Sequence, residues 1–455
     1  MSPPRPVGIG ESAVHSGSLR SAAAYERARR VFPDGVSRVT IERDSIPRYM
    51  VRGEGAYLFD LDGRRFLDLN ANFTTLIHGH AFAPVQSAIE QQLRLGLCFA
   101  NPTETEIELA ELLCSRIPHL ERIRFVTTGS EAVMFAIKAA RAFTGRSAIA
   151  KIEGAYHGAY DWAEVAYASH SENWGSGTQP VSTPNYRGMP GSVLSEVVAL
   201  RFNDVEGVER RIGEHADRLA AILIDPMPSR AGLIPPEPAF IRALTATARR
   251  HGILIVCDEV LNLRQGLRGA AARYELAPDL FALGKIIGGG LPVGAVGGRA
   301  EVMQVFAAGN ARAAVPQGGT FAANPLAMAA GLAAMRALDE RQFAHLEALG
   351  DALRAGLRRV IADQGAPLSI SGAGSLFRIH LTRTPPREFR DLPATPTAAR
   401  ILRELSRHFA AHDILLPSGA AACLATPMQS VEIDLIVEIF ADFIRRRGDL
   451  LEELS

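Results

Sequence analysis

Between about residues 103 and 335, helical patterns alternate with short apolar runs, and this alternation limits the fold more than any other feature of the chain. RIRFV (122–126), SAIAKI (147–152), LAAILI (219–224) and GILIVC (252–257) are each bounded by turn-forming residues. An apolar run without polar alternation is what a strand becomes when helices cover both faces of its sheet, so the pattern predicts an α/β fold with a mostly parallel sheet. Ligands in such sheets lie at the carboxyl ends of the strands, and those ends are where functional residues are sought.

At 455 residues the chain exceeds the size at which one core stops growing. Residues 1–20, rich in Pro, Gly and Ser, read as a flexible lead-in, followed by a weak helix. The stretch from Tyr49 to Leu69 alternates apolar and polar residues around GEG and DLDG, which predicts a small antiparallel meander. Residues 76–335 form the expected large domain. Residues 21–75 and 336–455 are assigned to a smaller α+β domain. The latter segment carries a long helix, a strand pair near SISGAGSLFRIHL, a Pro-rich loop from Thr384 to Thr397 and a C-terminal helix with Ile433, Ile436, Phe440 and Phe443 on one face.

Lys+Arg and Asp+Glu both number 49, so no net field draws in nucleic acid or an anionic membrane, and a small-molecule substrate fits better. Cys98, Cys114, Cys257 and Cys423 lack CxxC spacing and read as core residues in a reducing compartment. No signal-peptide core and no membrane-length apolar run stands out, so a cytoplasmic location is expected.

Five short motifs carry the chemistry. In RIRFV-TTGSEA, a strand runs through Thr128-Gly129-Ser130 into a helix. Free amides and the positive helix end there favour a phosphate, to which the Ser130 hydroxyl can add a donor. The same turn also reads as a plain helix start with Ser130 as N-cap. In GILIVCDEV, Asp258 and Glu259 close a strand, where a carboxylate can hold a metal, pair with a cationic ring nitrogen, or merely end the strand. No histidine stands at ligand spacing from them, so no metal site is expected. In DLFALGKIIGGGLPVGAVGG, Lys285 has apolar neighbours that would lower its pKa and leave a nucleophilic amine, and Gly288 to Gly290 admit another backbone or a cofactor. In QGGTFAANPLAMAAG, Asn324 and Pro325 read as N-cap and first residue of a helix, with the Thr320 hydroxyl ahead of them as a second phosphate donor or a linker residue. Tyr156-His157-Gly158 places an aromatic where it could stack on a flat cofactor or fill core.

Phosphate turn, aromatic, acid, lysine and hydroxyl, in that order, are the parts one pyridoxal 5'-phosphate (PLP) needs. From about Val31 onward the chain resembles the class III aminotransferases of PLP fold type I, in the branch holding glutamate-1-semialdehyde aminomutase and the β-amino-acid aminotransferases. The resemblance implies that Lys285 carries PLP as a Schiff base and moves the proton, and that Asp258 pairs with the pyridinium nitrogen. Val260 would pack on the ring, Gly129 and Ser130 would hold the phosphate, and Tyr156, with His157 beside it, would stack on the cofactor. Thr320 would reach the phosphate of the other subunit, which implies a homodimer. His78-Gly79-His80 and Pro102 to Glu111 match two further family stretches. Arg38 matches an arginine that binds the substrate carboxylate in this branch, and otherwise reads as a surface residue. The implied activity is transfer of an amino group from an amine or amino acid to a keto-acid acceptor. The alternatives are an intramolecular aminomutase, with Asp161 to Glu196 as a gating loop, and a PLP-fold protein without turnover.

Three positions depart from the family pattern: Asp225-Pro226-Met227 where Glu-Pro-Val is usual, Leu261-Asn262-Leu263-Arg264-Gln265 after Val260, and Leu416-Pro417-Ser418-Gly419 without a second carboxylate-binding arginine.

Overall fold

The computed structural model describes residues 19–41, 46–309 and 312–454. The expected lead-in over 1–20 lies outside the described residues up to 18, and residues 19 and 20 already belong to helix Leu19–Ala28.

A seven-stranded sheet forms the centre, in the spatial order Arg122–Val126, Gly294–Gly298, Leu280–Gly284, Leu254–Asp258, Leu219–Ile224, Ala148–Ile152 and Val197–Leu200. All neighbours pair in parallel except Gly294–Gly298, which is antiparallel to both strands beside it. Four of these strands are the apolar runs expected from the sequence. The other three, VVAL, LFALG and GAVGG, were not foreseen as strands. Helices cover both faces: Gly129–Thr144 packs on one with Val133, Phe135 and Ile137, while Glu104–Arg116, Pro238–Arg250 and Pro325–Ala337 bury Leu109, Phe240, Leu244 and Met328 on the other. Burial at both faces explains why LAAILI and GILIVC read as unbroken hydrophobic segments, while the edge strand RIRFV keeps Arg122 and Arg124 exposed.

The meander expected from Tyr49 to Leu69 is present as Met50–Glu54, Tyr57–Asp60 and Arg65–Asp68. Its last strand pairs in parallel with Ile414–Leu415, so both ends of the chain share one sheet and one hydrophobic cluster, in which Leu67 and Leu69 meet Phe409, Ile433, Phe440 and Phe443. The strand pair Ser369–Ser371 and Leu376–His380 is joined by Ala421–Cys423. The Pro-rich loop gives way at Pro396 to helix Pro396–Ala411, capped by Thr395.

Two cysteine readings need correction: Cys257 and Cys423 are buried, but Cys98 is exposed and Cys114 is half-buried. No helix among the described residues is long and apolar enough to cross a membrane.

Candidate active site

The carboxyl ends of adjacent strands bring the candidate residues together. Asp258 ends Leu254–Asp258, and the register pairs it with Ala282, three residues before Lys285. Asp258 is 4 % exposed and His157 is 2 % exposed. His157 Nδ1 lies 2.8 Å from Asp258 Oδ2, and the Val260 amide donates to Asp258 Oδ1 at 3.0 Å. Both carboxylate oxygens are therefore held before any ligand arrives. The second nitrogen of His157, Nε2, is shut off from solvent and has no hydrogen-bond partner among the described residues. Burial lowers the pKa of His157, while the bond to Asp258 opposes that shift.

Lys285 directly follows Leu280–Gly284 and has φ +50°, the left-handed region that costs an ordinary residue about 1–2 kcal/mol. Such strain persists where the surroundings over-determine it, which is common at functional sites. Desolvation lowers the Lys285 pKa, and the charges of Asp258 and Asp225 partly hold it up. The outcome is an amine nearer its nucleophilic form than a surface lysine.

At the phosphate turn, one detail is corrected: the N-cap of Gly129–Thr144 is Thr128, not Ser130. Thr128 Oγ1 accepts from the Glu131 amide at 3.1 Å, and the Glu131 carboxylate accepts from the Thr128 amide at 3.0 Å. This reciprocal cap consumes those two amides and leaves those of Gly129 and Ser130 at the helix end for a ligand. Ser130 Oγ accepts from the Ala159 amide at 3.0 Å, which ties the turn to the Tyr156-His157-Gly158 segment. Two glycines make the close fit possible: a Cβ on Gly158 would stand 2.3 Å from Ser130 Oγ, and one on Gly129 would stand 2.9 Å from Val260 Cγ1. Val260 is thereby wedged beside the turn. Tyr156 is half exposed and meets Tyr167 edge-on at 5.5 Å.

Glu259 points elsewhere. Its carboxylate accepts from the Ala270 and Ala271 amides at 3.1 and 2.6 Å, and burial raises its pKa to about 7. Asp225 is buried beside Asp258 and accepts from the Met227 amide at 2.9 Å and from the Asn262 side chain. Burial and then the Asp258 charge push its pKa well up.

Arg38 and Thr320 are not gathered with the others. Arg38 is exposed, with its guanidinium 5.3 Å from the Phe73 ring centroid. Phe73 belongs to a run of four non-glycine residues, Ala71 to Thr74, all with positive φ. Thr320 is exposed next to Phe321. Asn324 and Pro325 are the cap and first residue of Pro325–Ala337, as expected.

Sequence reasoning missed an arginine pair. Arg230 lies in the loop after Leu219–Ile224, exposed, and its charge reaches Tyr156. Behind it, Arg378 Nη1 donates to the Ser229 carbonyl at 2.9 Å, while its Nε is buried without a partner among the described residues. Burial and then the Arg230 charge lower the Arg378 pKa to about 10, with no acid among the groups acting on it. Two arginine charges that act on each other, with no ion-pair partner for either among the described residues, favour an anion nearby. No pattern in SRAG marked it beforehand.

The gating-loop stretch is pinned at 174–178. Arg390 donates to the Trp174 carbonyl at 2.7 Å while pairing with Glu153, and Arg201 and Arg210 donate to the Gly177 and Thr178 carbonyls at 2.9 and 2.6 Å.

Known proteins share the overall fold. An omega-transaminase from Sphaerobacter thermophilus superposes with a TM-score of 0.91 at 46% identity, covering 94% of this chain and 98% of that one. A beta-phenylalanine aminotransferase from Variovorax paradoxus does so with a TM-score of 0.85 at 32% identity, covering 95% of each chain. A glutamate-1-semialdehyde 2,1-aminomutase of Laribacter hongkongensis is 37% identical over 381 residues, 83% of this chain and 87% of its own. The aminotransferase class-III family model matches residues 39–445. The chain belongs to the class-III aminotransferases, a family of enzymes that work with pyridoxal 5'-phosphate.

Proposed function

We propose that this protein binds PLP at Lys285 and transfers an amino group from an amine or amino acid to a keto-acid acceptor. The observation that carries the reading is the juxtaposition, at two neighbouring strand ends, of a desolvated lysine amine and a carboxylate held by His157. The residues present fit the cofactor: a helix start with two amides to spare, glycines at the points of closest approach, and an acid fixed on both oxygens. PLP, when bound, supplies an electron sink for the bond broken at the substrate carbon. Asp258 holds a proton at the ring nitrogen, Val260 and Tyr156 keep the ring in place, and Gly129 and Ser130 hold the phosphate. Lys285, once displaced, moves the proton as general acid and base.

Arg230, backed by Arg378, and Arg38 are the groups we assign to a substrate carboxylate, so amino acids are favoured over simple amines. We also assign a homodimer. Leu93, Leu95, Leu97, Phe99 and Phe321 are all exposed, and Asn324 Nδ2 joins the two stretches through the Leu97 carbonyl at 3.0 Å. Thr320 borders this apolar surface, and we assign it to a second copy's phosphate. A small domain built from 21–75 and 336–455, and a cytoplasmic setting, complete the reading.

An aminomutase is the second reading, favoured by the 37% identity to glutamate-1-semialdehyde 2,1-aminomutases. The arginines that fasten residues 174–178 weigh against free gating there. A half-reaction screen decides: with purified PLP-loaded protein, amino donors are expected to convert the Schiff-base absorbance to that of the aminated cofactor, and release to need a keto acid. Isomerisation of an amino aldehyde with no keto acid present would establish the aminomutase instead.

A further inference from the structure

Far along the chain from the residues assigned to PLP, the C-terminal helices bring together a second group of ligating side chains. Helix Pro396–Ala411 carries His408 in its last turn and has His412 as its C-cap, so the two rings project from the same side one turn apart. Helix Ser430–Arg446 runs beside it and brings in Asp442. One ligating atom from each of His408, His412 and Asp442 lies within 4.8 Å of the other two, and this is the one such His/Cys/Asp/Glu group among the described residues.

The hydrogen bonds around the rings decide which nitrogen of each is left for an ion. His412 Nδ1 donates to the His408 carbonyl at 2.8 Å, which leaves Nε2 as the nitrogen with a free lone pair. The His408 ring has a backbone hydrogen bond to Ile439. Its Nε2 is shut off from solvent with no hydrogen-bond partner among the described residues, yet it lies 3.4 Å from Asp442 Oδ2. A buried imidazole lone pair beside a carboxylate oxygen is repelled by it, and a cation between them reverses the sign. Imidazoles tied back through one nitrogen to a carbonyl are how proteins orient metal ligands. The two rings are 4.6 Å apart at 45°, and His408 also rests on Phe443 at 5.6 Å, so neither ring swings freely.

We propose that His408, His412 and Asp442 bind a divalent transition-metal ion of the zinc, nickel or copper class. Two imidazoles and one carboxylate suit these ions and not magnesium or calcium, which prefer all-oxygen sets. Zinc bonds of about 2.0–2.1 Å put tetrahedral ligand atoms roughly 3.3 Å from each other, a spacing that His408 Nε2 and Asp442 Oδ2 already have at 3.4 Å, so binding mainly draws His412 in. Arg446 Nε donates to Asp442 Oδ2 at 2.7 Å and Arg445 to Oδ1 at 3.2 Å, so the ion competes with two guanidinium groups. Bound metal would clamp the last turn of one helix to the last turn of the other. The site is independent of the cofactor and of the reaction assigned to it.

The test uses the full-length PLP-loaded protein in a Cys98→Ser background, which removes the exposed thiol as a rival ligand, after chelator treatment and dialysis. Calorimetric titration with zinc or nickel chloride is expected to show one equivalent per chain, and magnesium none. The copper-loaded protein is expected to show electron-spin coupling to two nitrogens. His412→Gln and Asp442→Asn are each expected to weaken zinc binding by at least on the order of 10- to 100-fold, the loss that disturbing only an outer-shell partner already causes. His412 is a half-exposed cap, so its variant retains the fold, and circular dichroism checks both proteins. Absence of saturable binding, or undiminished affinity in both variants, overturns the proposal.

Discussion

His157 Nδ1 stands 2.8 Å from Asp258 Oδ2, and neither side chain has meaningful contact with solvent. The pair is therefore a fixed unit: the acid cannot rotate without leaving the imidazole buried and unpaired, at a cost of about 1–3 kcal/mol.

From this it follows that Asp258→Asn leaves the cofactor bound but deprives the ring nitrogen of its charge partner. We expect the transamination half-reaction to slow by on the order of 10²- to 10³-fold, the range for losing one preorganised electrostatic group. Stopped-flow absorbance measures it. His157→Gln should slow the same step less, since Val260 still holds the other oxygen. A wild-type rate in Asp258→Asn would remove Asp258 from the site.

The Lys285 amine should titrate below the ordinary lysine value of 10.5, because burial disfavours its charged form. In the cofactor-free protein, the rate of Schiff-base formation with added PLP is expected to rise with pH through a midpoint below that value. Asp258 holds the lysine's pKa up, so Asp258→Asn should move the midpoint further down. A midpoint at or above 10.5 contradicts the desolvated amine.

Gly158→Ala tests the fit at the phosphate turn. The added carbon would sit 2.3 Å from Ser130 Oγ on a backbone with φ +87°. Gly145→Ala, with φ +71° and no atom within 4 Å, is the control that carries only the backbone strain of about 1–2 kcal/mol. Equilibrium dialysis should show PLP affinity lost in the first and kept in the second.

Arg230→Gln should raise KM for amino acids by roughly 10- to 100-fold, from about 1.5–3 kcal/mol for a charge-assisted bond, and leave carboxylate-free amines almost unchanged. Arg38→Ala is expected to act in the same direction. Equal losses for both substrate kinds would show that these arginines serve the fold instead.

Much of this was legible because it depends on local rules. LAAILI and GILIVC are strands because nothing polar interrupts them, RIRFV alternates exposed arginines with apolar residues at the sheet's edge, and Asn324-Pro325 starts a helix because of what the two residues do to a backbone. GAVGG was not foreseen as a strand, yet it is one, second from the edge of the sheet. Added carbons at Gly294, Gly297 and Gly298 would lie 2.1 Å from the Thr128 carbonyl oxygen, 2.4 Å from Leu120 Cδ1 and 2.1 Å from the Asp279 carbonyl oxygen. Those glycines mark crowding, which a sequence does not distinguish from freedom. Gly289 is similar: its neighbour is the Ala330 carbonyl oxygen at 2.4 Å, so it admits a helix backbone. The left-handed run from Ala71 to Thr74 contains no glycine to announce it, and the Arg230–Arg378 pair joins residues far apart in the chain.

Arg264, six residues beyond Asp258, is fully buried and donates to the Thr74 carbonyl at 3.0 Å, the Ser375 hydroxyl at 3.1 Å and the Leu424 carbonyl at 2.5 Å. One guanidinium thus rivets three distant segments to the turn that leaves the acid strand. Heat should then dissolve the central sheet and the three-stranded sheet in a single cooperative step, and any opening that admits substrate must pivot on segments Arg264 does not touch.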